Sequence, residues 1–246
     1  MGQFKIFITK LGNSLFHWTS YLGGVERISV LRESAFDYAI SEFLEVNKHG
    51  ITEKKRKKVN NNPMIIDYTF RDPHPVFVKR SVDLFANVQI DSAVTLYSEF
   101  KFVRREVASD EGNELQRYFN DLFRLLAIQK NTGSNTKCIF IVIGKARDFG
   151  ECLKKGNNVP TGIISFFLSF NEERREINTP LKDNRLNRFY SVFKEDYRHY
   201  KKGKKELTDQ DSMITRLVYT QQGLDKPVNV CIWEIECHSG NKVLNE

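Results

Sequence analysis

Cysteine is scarce in this chain of 246 residues: Cys138, Cys152, Cys231 and Cys237 are its four copies, and no two of them form a CxxC pair. Secreted disulfide frameworks carry dense, paired cysteines, so the pattern favours buried thiols in a reducing, cytoplasmic setting. Cys231, Cys237 and His238 lie close in sequence but lack the partner cluster that a zinc site needs. The cysteines therefore predict structural thiols and no metal site of their own.

Long apolar runs are also missing. The two longest, at residues 138–143 and 162–170, are far shorter than the roughly 20 residues of a membrane-spanning helix. The first 20 residues alternate charged and apolar side chains and have no apolar h-region, so we expect no signal peptide. We accordingly expect no membrane partner.

Aromatic residues and positive charge, by contrast, are abundant. The 19 phenylalanines argue against a disordered chain, because disordered segments lack aromatics. The net charge of +7 permits a polyanionic partner. Basic runs at 54–58 and 201–205 fit either solvated loops or phosphate contacts. Residues 184–200 interleave aromatics with charges, which suits either nucleic-acid contacts or an amphipathic helix that packs its aromatics inward.

The hydrophobic periodicity predicts an ordered series of helices and strands. Residues 1–20 fit no clear element, although alternating Phe4, Ile6 and Ile8 allow a short strand. After them the patterns predict a helix at 25–46, strands at 64–70, 80–86 and 95–103, a helix at 114–130, a strand at 138–143, a strand or short helix at 163–170, a helix at 184–200 and a strand at 228–236.

The strand at 95–103 carries an acid and a base among hydrophobic residues. Side chains alternate along a strand, so Leu96, Phe100 and Phe102 share one face. Glu99 and Lys101 share the other face. Two charges on so apolar a strand are costly unless they pair or bind something. They fit either a simple ion pair or half of a catalytic site.

Asp83 is the acid expected to join them. It lies in the middle of the strand predicted at 80–86, and a hairpin would place that strand beside 95–103. Two neighbouring carboxylates repel and persist mainly where a cation bridges them. Asp67 and Asp91 compete for this role, but Asp83 stands among hydrophobic residues, where an unpaired carboxylate needs an explanation.

With this order of elements, the chain resembles the PD-(D/E)xK nuclease superfamily, which has the restriction-endonuclease-like fold. Asp83 precedes Glu99-Phe100-Lys101 by 16 positions, as the family's first acid precedes its D/E-x-K. Val82 stands where many members have proline. A second acid-x-Lys, Glu53 to Lys55, lies in the basic run with no strand around it.

The resemblance implies an α/β fold with an α-β-β-β-α-β core and a mixed central sheet flanked by helices. The core would span about residues 25–145 and the C-terminal addition residues 146–246, together forming one domain over 1–246. An acid on the first helix and a polar residue on the helix after the third strand are common in this family. Glu33 and Gln116 match those two positions.

The resemblance also implies a function. Asp83, Glu99, the Phe100 carbonyl and Glu33 would bind Mg²⁺, with Mn²⁺ as a substitute. Lys101 would orient the attacking water or neutralise charge, and Gln116 would contact the phosphate or the water. The implied activity is that of an endonuclease acting on double-stranded DNA, with restriction or phage defence as its setting. A homodimer or a partner subunit is a further expectation.

Two other hypotheses remain open from the residues alone. One is a non-catalytic module on the same fold that binds nucleic acid or another protein. The other is an unrelated α/β protein in which Glu99 and Lys101 form a structural ion pair. The side on which Asp83 and Glu99 lie separates this last hypothesis from the others, because a shared metal requires both on one face.

Overall fold

A computed structural model describes residues 2–24, 33–48, 64–89, 92–103, 111–145, 176–222 and 228–239. Within these ranges the chain forms four helices and seven strands. They are α1 (Gln3–Gly24), α2 (Glu33–Lys48), β1 (Met64–Phe70), β2 (Leu84–Gln89), β3 (Ala93–Val103), α3 (Glu111–Asn131), β4 (Thr136–Lys145), β5 (Glu176–Pro180), α4 (Asn184–Asp196), β6 (Asp211–Gln222) and β7 (Val228–Ser239).

The seven strands form one mixed sheet in the order β1-β2-β3-β4-β7-β6-β5. Neighbouring strands are antiparallel except β3 and β4, which run parallel and are connected through α3. A parallel pair needs such a crossover, because a tight turn cannot reverse the chain twice. The expected α/β class with a mixed sheet flanked by helices is confirmed.

Each face of the sheet is covered by a separate apolar layer. Leu96, Phe100 and Phe102 of β3 pack in the layer that contains the buried side chains of α1 and α2. Tyr97 and Val103 pack in the layer of α3 and α4. The alternation predicted for β3 is confirmed, and it turns Glu99 and Lys101 toward α3.

The N-terminal segment is a helix and not the short strand that alternating Phe4, Ile6 and Ile8 had allowed. Phe7, Ile8, Leu11 and Leu15 are buried at helical spacing, which outweighs the shorter alternating pattern. Gly12 lets α1 approach β6 closely, because a Cβ atom there would collide with the ring of Tyr219. The pair Gly23-Gly24 ends α1.

Strand β2 begins later than predicted, and Asp83 lies just before it instead of at its middle. The preceding residues 71–83 form a closed loop held by backbone hydrogen bonds. In it Arg71 N donates to Asp83 O (3.0 Å), Val82 N to Asp72 O (2.9 Å) and His74 N to Arg80 O (2.8 Å). These bonds satisfy the polar backbone that a strand ladder would otherwise have paired.

The C-terminal part of the chain completes the same sheet. Strand β7 lies between β4 and β6, so β5, β6 and β7 continue the sheet begun by β1 to β4. In α4 the aromatics Phe189, Tyr190 and Phe193 are buried, as the inward-packing interpretation expected. None of the helices in the described ranges is long and apolar enough to cross a membrane.

Several predicted features fall outside the described residues. The basic run at 54–58, the element predicted at 163–170 and Cys152 are among them. Of the other cysteines, Cys138 and Cys231 are buried and Cys237 is half-buried, all as free thiols. Burial raises the pKa of both Cys231 and Cys237 to about 12, so these thiols stay protonated near neutral pH.

Candidate active site

Glu99 and Lys101 each have a partner on α3. Glu99 is 1% exposed, and its Oε1 accepts a hydrogen bond from Arg124. Lys101 Nζ lies 2.6 Å from Asp121 Oδ2. The two residues of β3 therefore do not pair with each other. They point the same way along the strand, and helix α3 supplies an opposite charge to each.

The two α3 residues are also linked to one another. Asp121 and Arg124 are three positions apart, so they lie on one side of the helix, and Arg124 Nη1 donates to Asp121 Oδ1 at 3.0 Å. Arg124 Nη2 additionally donates to the backbone carbonyl of Ser81. One guanidinium thus joins β3, α3 and the loop that leads to Asp83.

Asp83, which directly precedes β2, lies next to Glu99. The last pair of the β2–β3 ladder is Leu84 with Ser98, so Asp83 and Glu99 are the next residue on each strand. Asp83 Oδ2 accepts a hydrogen bond from Phe100 N at 2.8 Å. Asp83 is also close enough to Glu99 to raise the pKa of that carboxyl group. We call Asp83, Glu99, Lys101, Asp121 and Arg124 the charge cluster.

The charge cluster holds three carboxyl groups and two cations, so one negative charge is in excess when all are ionised. Burial raises the pKa of Glu99 well above its ordinary value, and Asp121 and Asp83 raise it further while Arg124 lowers it. Burial alone would lower the pKa of Arg124, but Glu99 and Asp121 outweigh that and raise it. The excess charge is thus met by a proton on Glu99 or by a bound cation.

The donor set of the cluster suits a hard divalent cation. Asp83 and Glu99 offer carboxylate oxygens from facing positions of neighbouring strands, and Mg²⁺ prefers such ligands while keeping several waters. The N–H and C=O of one strand residue point to the same side, so the Phe100 carbonyl faces the side on which its amide meets Asp83. Across the described ranges, no group of three or more His, Cys, Asp and Glu side chains is arranged to hold a metal.

Glu33 and Gln116, the two helix residues expected at the site, are placed differently. Glu33 is the first residue of α2, and only its backbone is described. Gln116 Nε2 donates to Asn120 Oδ1 (2.7 Å) and to the Phe189 carbonyl (3.0 Å), so its amide is held against α4. The structure does not bring Gln116 into the charge cluster.

Asp37, one turn after Glu33, is an α2 acid that lies near Asp83. Its pKa is raised mainly by partial burial, with a smaller rise from Asp83 that Arg71 opposes. Arg71 Nη2 lies 3.2 Å from Asp37 Oδ2, and the amide of Arg71 donates to the Asp83 carbonyl. The start of α2 therefore supplies an acid to this edge of the cluster.

His74 lies close to Arg124 of the charge cluster. It is fully buried, and its Nδ1 accepts hydrogen bonds from Val76 N and Phe77 N, both at 3.1 Å. Two donors on Nδ1 fix the neutral tautomer with the proton on Nε2. Burial, with help from Arg124 and Lys201, lowers the pKa of His74 to about 3. His74 thus stays neutral beside the Arg124 cation.

Sequence reasoning missed Asp121, Arg124, Asp37 and His74. The sequence of helix α3 indicated these residues: Asp121 and Arg124 are three positions apart in a largely apolar stretch from Tyr118 to Ile128. Charges inside so wide an apolar arc are buried, and buried charges need partners. Comparisons with protein-family models, curated proteins and solved structures find no match for this chain.

Proposed function

We propose that this protein is a metal-dependent nuclease of the PD-(D/E)xK type that hydrolyses phosphodiester bonds, with double-stranded DNA as substrate. The observation that carries the proposal is the meeting of Asp83, Glu99 and Lys101 on one face of the sheet. The α-β-β-β-α-β order of α2, β1, β2, β3, α3 and β4 also supports it, because that order is the one the resemblance implies.

Each member of the cluster has a distinct task in this proposal. Asp83, Glu99 and the Phe100 carbonyl would hold Mg²⁺, which when bound supplies an activated water and offsets phosphate charge. Lys101, kept in place by Asp121, would donate a hydrogen bond to the attacking water or to a phosphate oxygen. Arg124 would balance the carboxylates and hold Glu99 in position.

A cleavage assay tests the proposal. Plasmid DNA, linear duplex, single-stranded DNA and RNA are incubated with the protein and Mg²⁺ or Mn²⁺. Lys101→Ala should reduce cleavage by about 100-fold or more, since it removes a group aimed at the reacting centre. Lys137→Ala is the matched control, because Lys137 also pairs with a buried carboxylate but on the opposite face. Equal cleavage by both variants would refute the assignment.

A second function is favoured by the pairing within the cluster. Glu99 and Lys101 are both engaged by α3, as in a structural network, and that suits a non-catalytic module on the same fold that binds nucleic acid or another protein. Salt-sensitive DNA binding by the wild-type protein, with no cleavage of any of the four substrates in either metal, would support this function over the first.

A further inference from the structure

An open groove of about 600 Å³ lies on the α3 and α4 side of the molecule. Residues 77–80, from the loop that leads to Asp83, form one wall, and residues 196–200, which follow α4, form the other. Val78 N donates to the His199 carbonyl (3.0 Å), and Lys201 N donates to the Val76 carbonyl (2.8 Å). Backbone hydrogen bonds therefore tie the two walls together, so the groove is preformed. We call it the basic groove.

An arginine is held in place on aromatic side chains in this groove. The Arg80 guanidinium lies 4.6 Å from the centre of the Tyr197 ring, and Arg80 Nη2 approaches the Asp196 carbonyl at 3.5 Å. Tyr197 in turn stacks on Phe193, with ring centres 4.5 Å apart. A guanidinium fixed over an aromatic ring keeps most of its N–H donors available for an oxyanion.

The cations of the basic groove differ from those of the charge cluster in being exposed and unpaired. Within the described ranges no carboxylate lies within 4.0 Å of Lys79, Arg80 or Arg198. Two acids, Asp196 and Glu206, also line the groove. They are outnumbered once the adjoining basic run is counted, which contributes Lys201, Lys202, Lys204 and Lys205.

The basic groove is directly beside the charge cluster. Arg80 precedes Asp83 by three residues, so their Cα atoms are at most about 11 Å apart. Between them the Ser81 carbonyl accepts a hydrogen bond from Arg124. Tyr197, under Arg80, is close enough to Arg124 to raise its pKa, after the larger effects of Glu99 and Asp121. A chain lying in the groove would therefore run next to Lys101 and Glu99.

We propose that the basic groove binds the phosphate backbone of one nucleic-acid strand and directs it to the charge cluster. The inference rests on the proposed function and names the surface that function would use. A nucleic-acid strand is the occupant to which these features point, because Arg recognises phosphate oxygens with paired N–H donors and a strand presents phosphates at regular spacing. The contacts read no bases, so the binding should be independent of sequence.

Fluorescence anisotropy with labelled duplex and single-stranded oligonucleotides tests this inference. Measured in EDTA, it separates binding from cleavage. Arg80→Ala/Arg198→Ala should weaken binding about tenfold at moderate salt, and each cation removed should reduce the salt dependence by about one unit of log K against log salt. Lys79→Ala, which removes one cation, should reduce the salt dependence by about one unit of log K against log salt.

Lys5→Ala is the matched control for Lys79→Ala, since Lys5 is an exposed lysine on α1, across the sheet. It should leave affinity and salt dependence unchanged. Equal binding by wild type and the double variant would overturn the inference, as would displacement of the oligonucleotide by polyglutamate at equal charge, which would indicate an acidic polypeptide.

The groove inference and the nuclease proposal can be refuted independently of each other. If the wild type cleaves DNA while the double variant binds and cleaves normally, the groove inference is wrong and the nuclease proposal stands. If the double variant loses binding but the wild type never cleaves, the groove is supported and the nuclease proposal is wrong.

Discussion

Two ionic networks in this molecule have the same composition and opposite surroundings. The charge cluster joins three carboxyl groups to two cations under α3. On the other face Lys137 and Arg216 meet Glu176, Glu234 and Glu236, a group that we call the β6–β7 network. The side chains of Glu99, Asp121, Arg124 and Lys101 are 1–15% exposed, whereas Arg216 is 37% and Glu176 is 52% exposed.

The comparison shows that burial, and not the charged motif, distinguishes a candidate site. Both networks carry one excess negative charge, but in the β6–β7 network solvent reaches Arg216, Glu176 and Glu236, although Glu234 is buried. In the charge cluster burial, and after it the neighbouring carboxylates, raise the pKa of Glu99. We therefore expect a bound cation or a proton in the charge cluster. The experiments below test this difference, beginning with the largest expected effect.

The largest difference in stability between the two networks should follow the removal of one arginine from each. Arg124→Met keeps much of the side-chain volume but leaves Glu99 buried without its charged partner. We expect a loss of about 3–5 kcal/mol in the free energy of unfolding, measured by urea denaturation at neutral pH. The matched variant Arg216→Met should lose no more than about 1 kcal/mol. Equal losses would mean that burial does not distinguish the networks.

Acid should destabilise the region around the charge cluster through His74. The pKa of His74 is about 3 in the folded protein, against an ordinary value of 6.5 for a solvated histidine. Below pH 6.5 the unfolded chain binds a proton that the folded chain does not, so stability falls as pH drops from 6.5 toward 3. Between pH 7 and pH 4 the loss from this group should be about 3 kcal/mol.

The measurement is the difference in unfolding free energy between wild type and His74→Gln as a function of pH. Subtraction removes the titration of the other groups. The advantage of the wild type should shrink by up to about 1.4 kcal/mol per pH unit below pH 6.5. His199→Gln, at an exposed histidine, controls for the loss of a histidine as such. A difference that is constant with pH would contradict a buried neutral His74.

Mg²⁺ should stabilise the protein only through the charge cluster. At a concentration about ten times its dissociation constant, a ligand of the folded state adds about 1.4 kcal/mol. For a domain of this size, that raises the melting temperature by about 3–6 °C. Glu99→Gln should abolish the shift, and Glu234→Gln should keep it. A wild type that does not respond to Mg²⁺, or a shift that survives in Glu99→Gln, would argue for a purely structural cluster.

The smallest effect should come from salt on the β6–β7 network. Arg216 Nη2 lies 2.9 Å from Glu176 Oε2, in a pair that is largely exposed. Its contribution of at most about 1 kcal/mol should disappear near 1 M salt, where the screening length falls to about 3 Å. The Arg124→Met difference should survive the same salt. Comparing urea midpoints at low and high salt checks both statements.

The sequence was informative wherever one pattern governed a whole element. Alternation in β3 correctly separated Phe100 from Glu99 and Lys101, because each face met a different apolar layer. The sequence was less informative where tertiary contacts determine the local structure. Asp83 lies before β2 because the 71–83 loop closes on its own hydrogen bonds, and no residue pattern reports those bonds. Strand β6 was not predicted, although only Asp211 and Arg216 of its 12 residues are charged; in the structure it pairs with β5 and β7.

The partners of the cluster were harder to predict for the same reason. Arg124 and Glu99 are 25 positions apart, and only the β3-α3-β4 crossover brings them together. Gln116 sits on the same helix as Arg124, yet it turns toward α4. Which side of α3 faces the sheet depends on the packing of α4, whose residues follow 53 positions after Asn131.

The position of β7 has a consequence for how the protein is made. Strands β5 and β6 are synthesised before β7, yet they connect to the rest of the sheet only through it. During synthesis, β5 and β6 therefore cannot join the sheet until residues 228–239 have emerged from the ribosome. The edge of β4 stays uncovered until then. Exposed strand edges invite pairing with other chains. Nascent chains that stall in this interval should be the species that chaperones bind and that aggregate first.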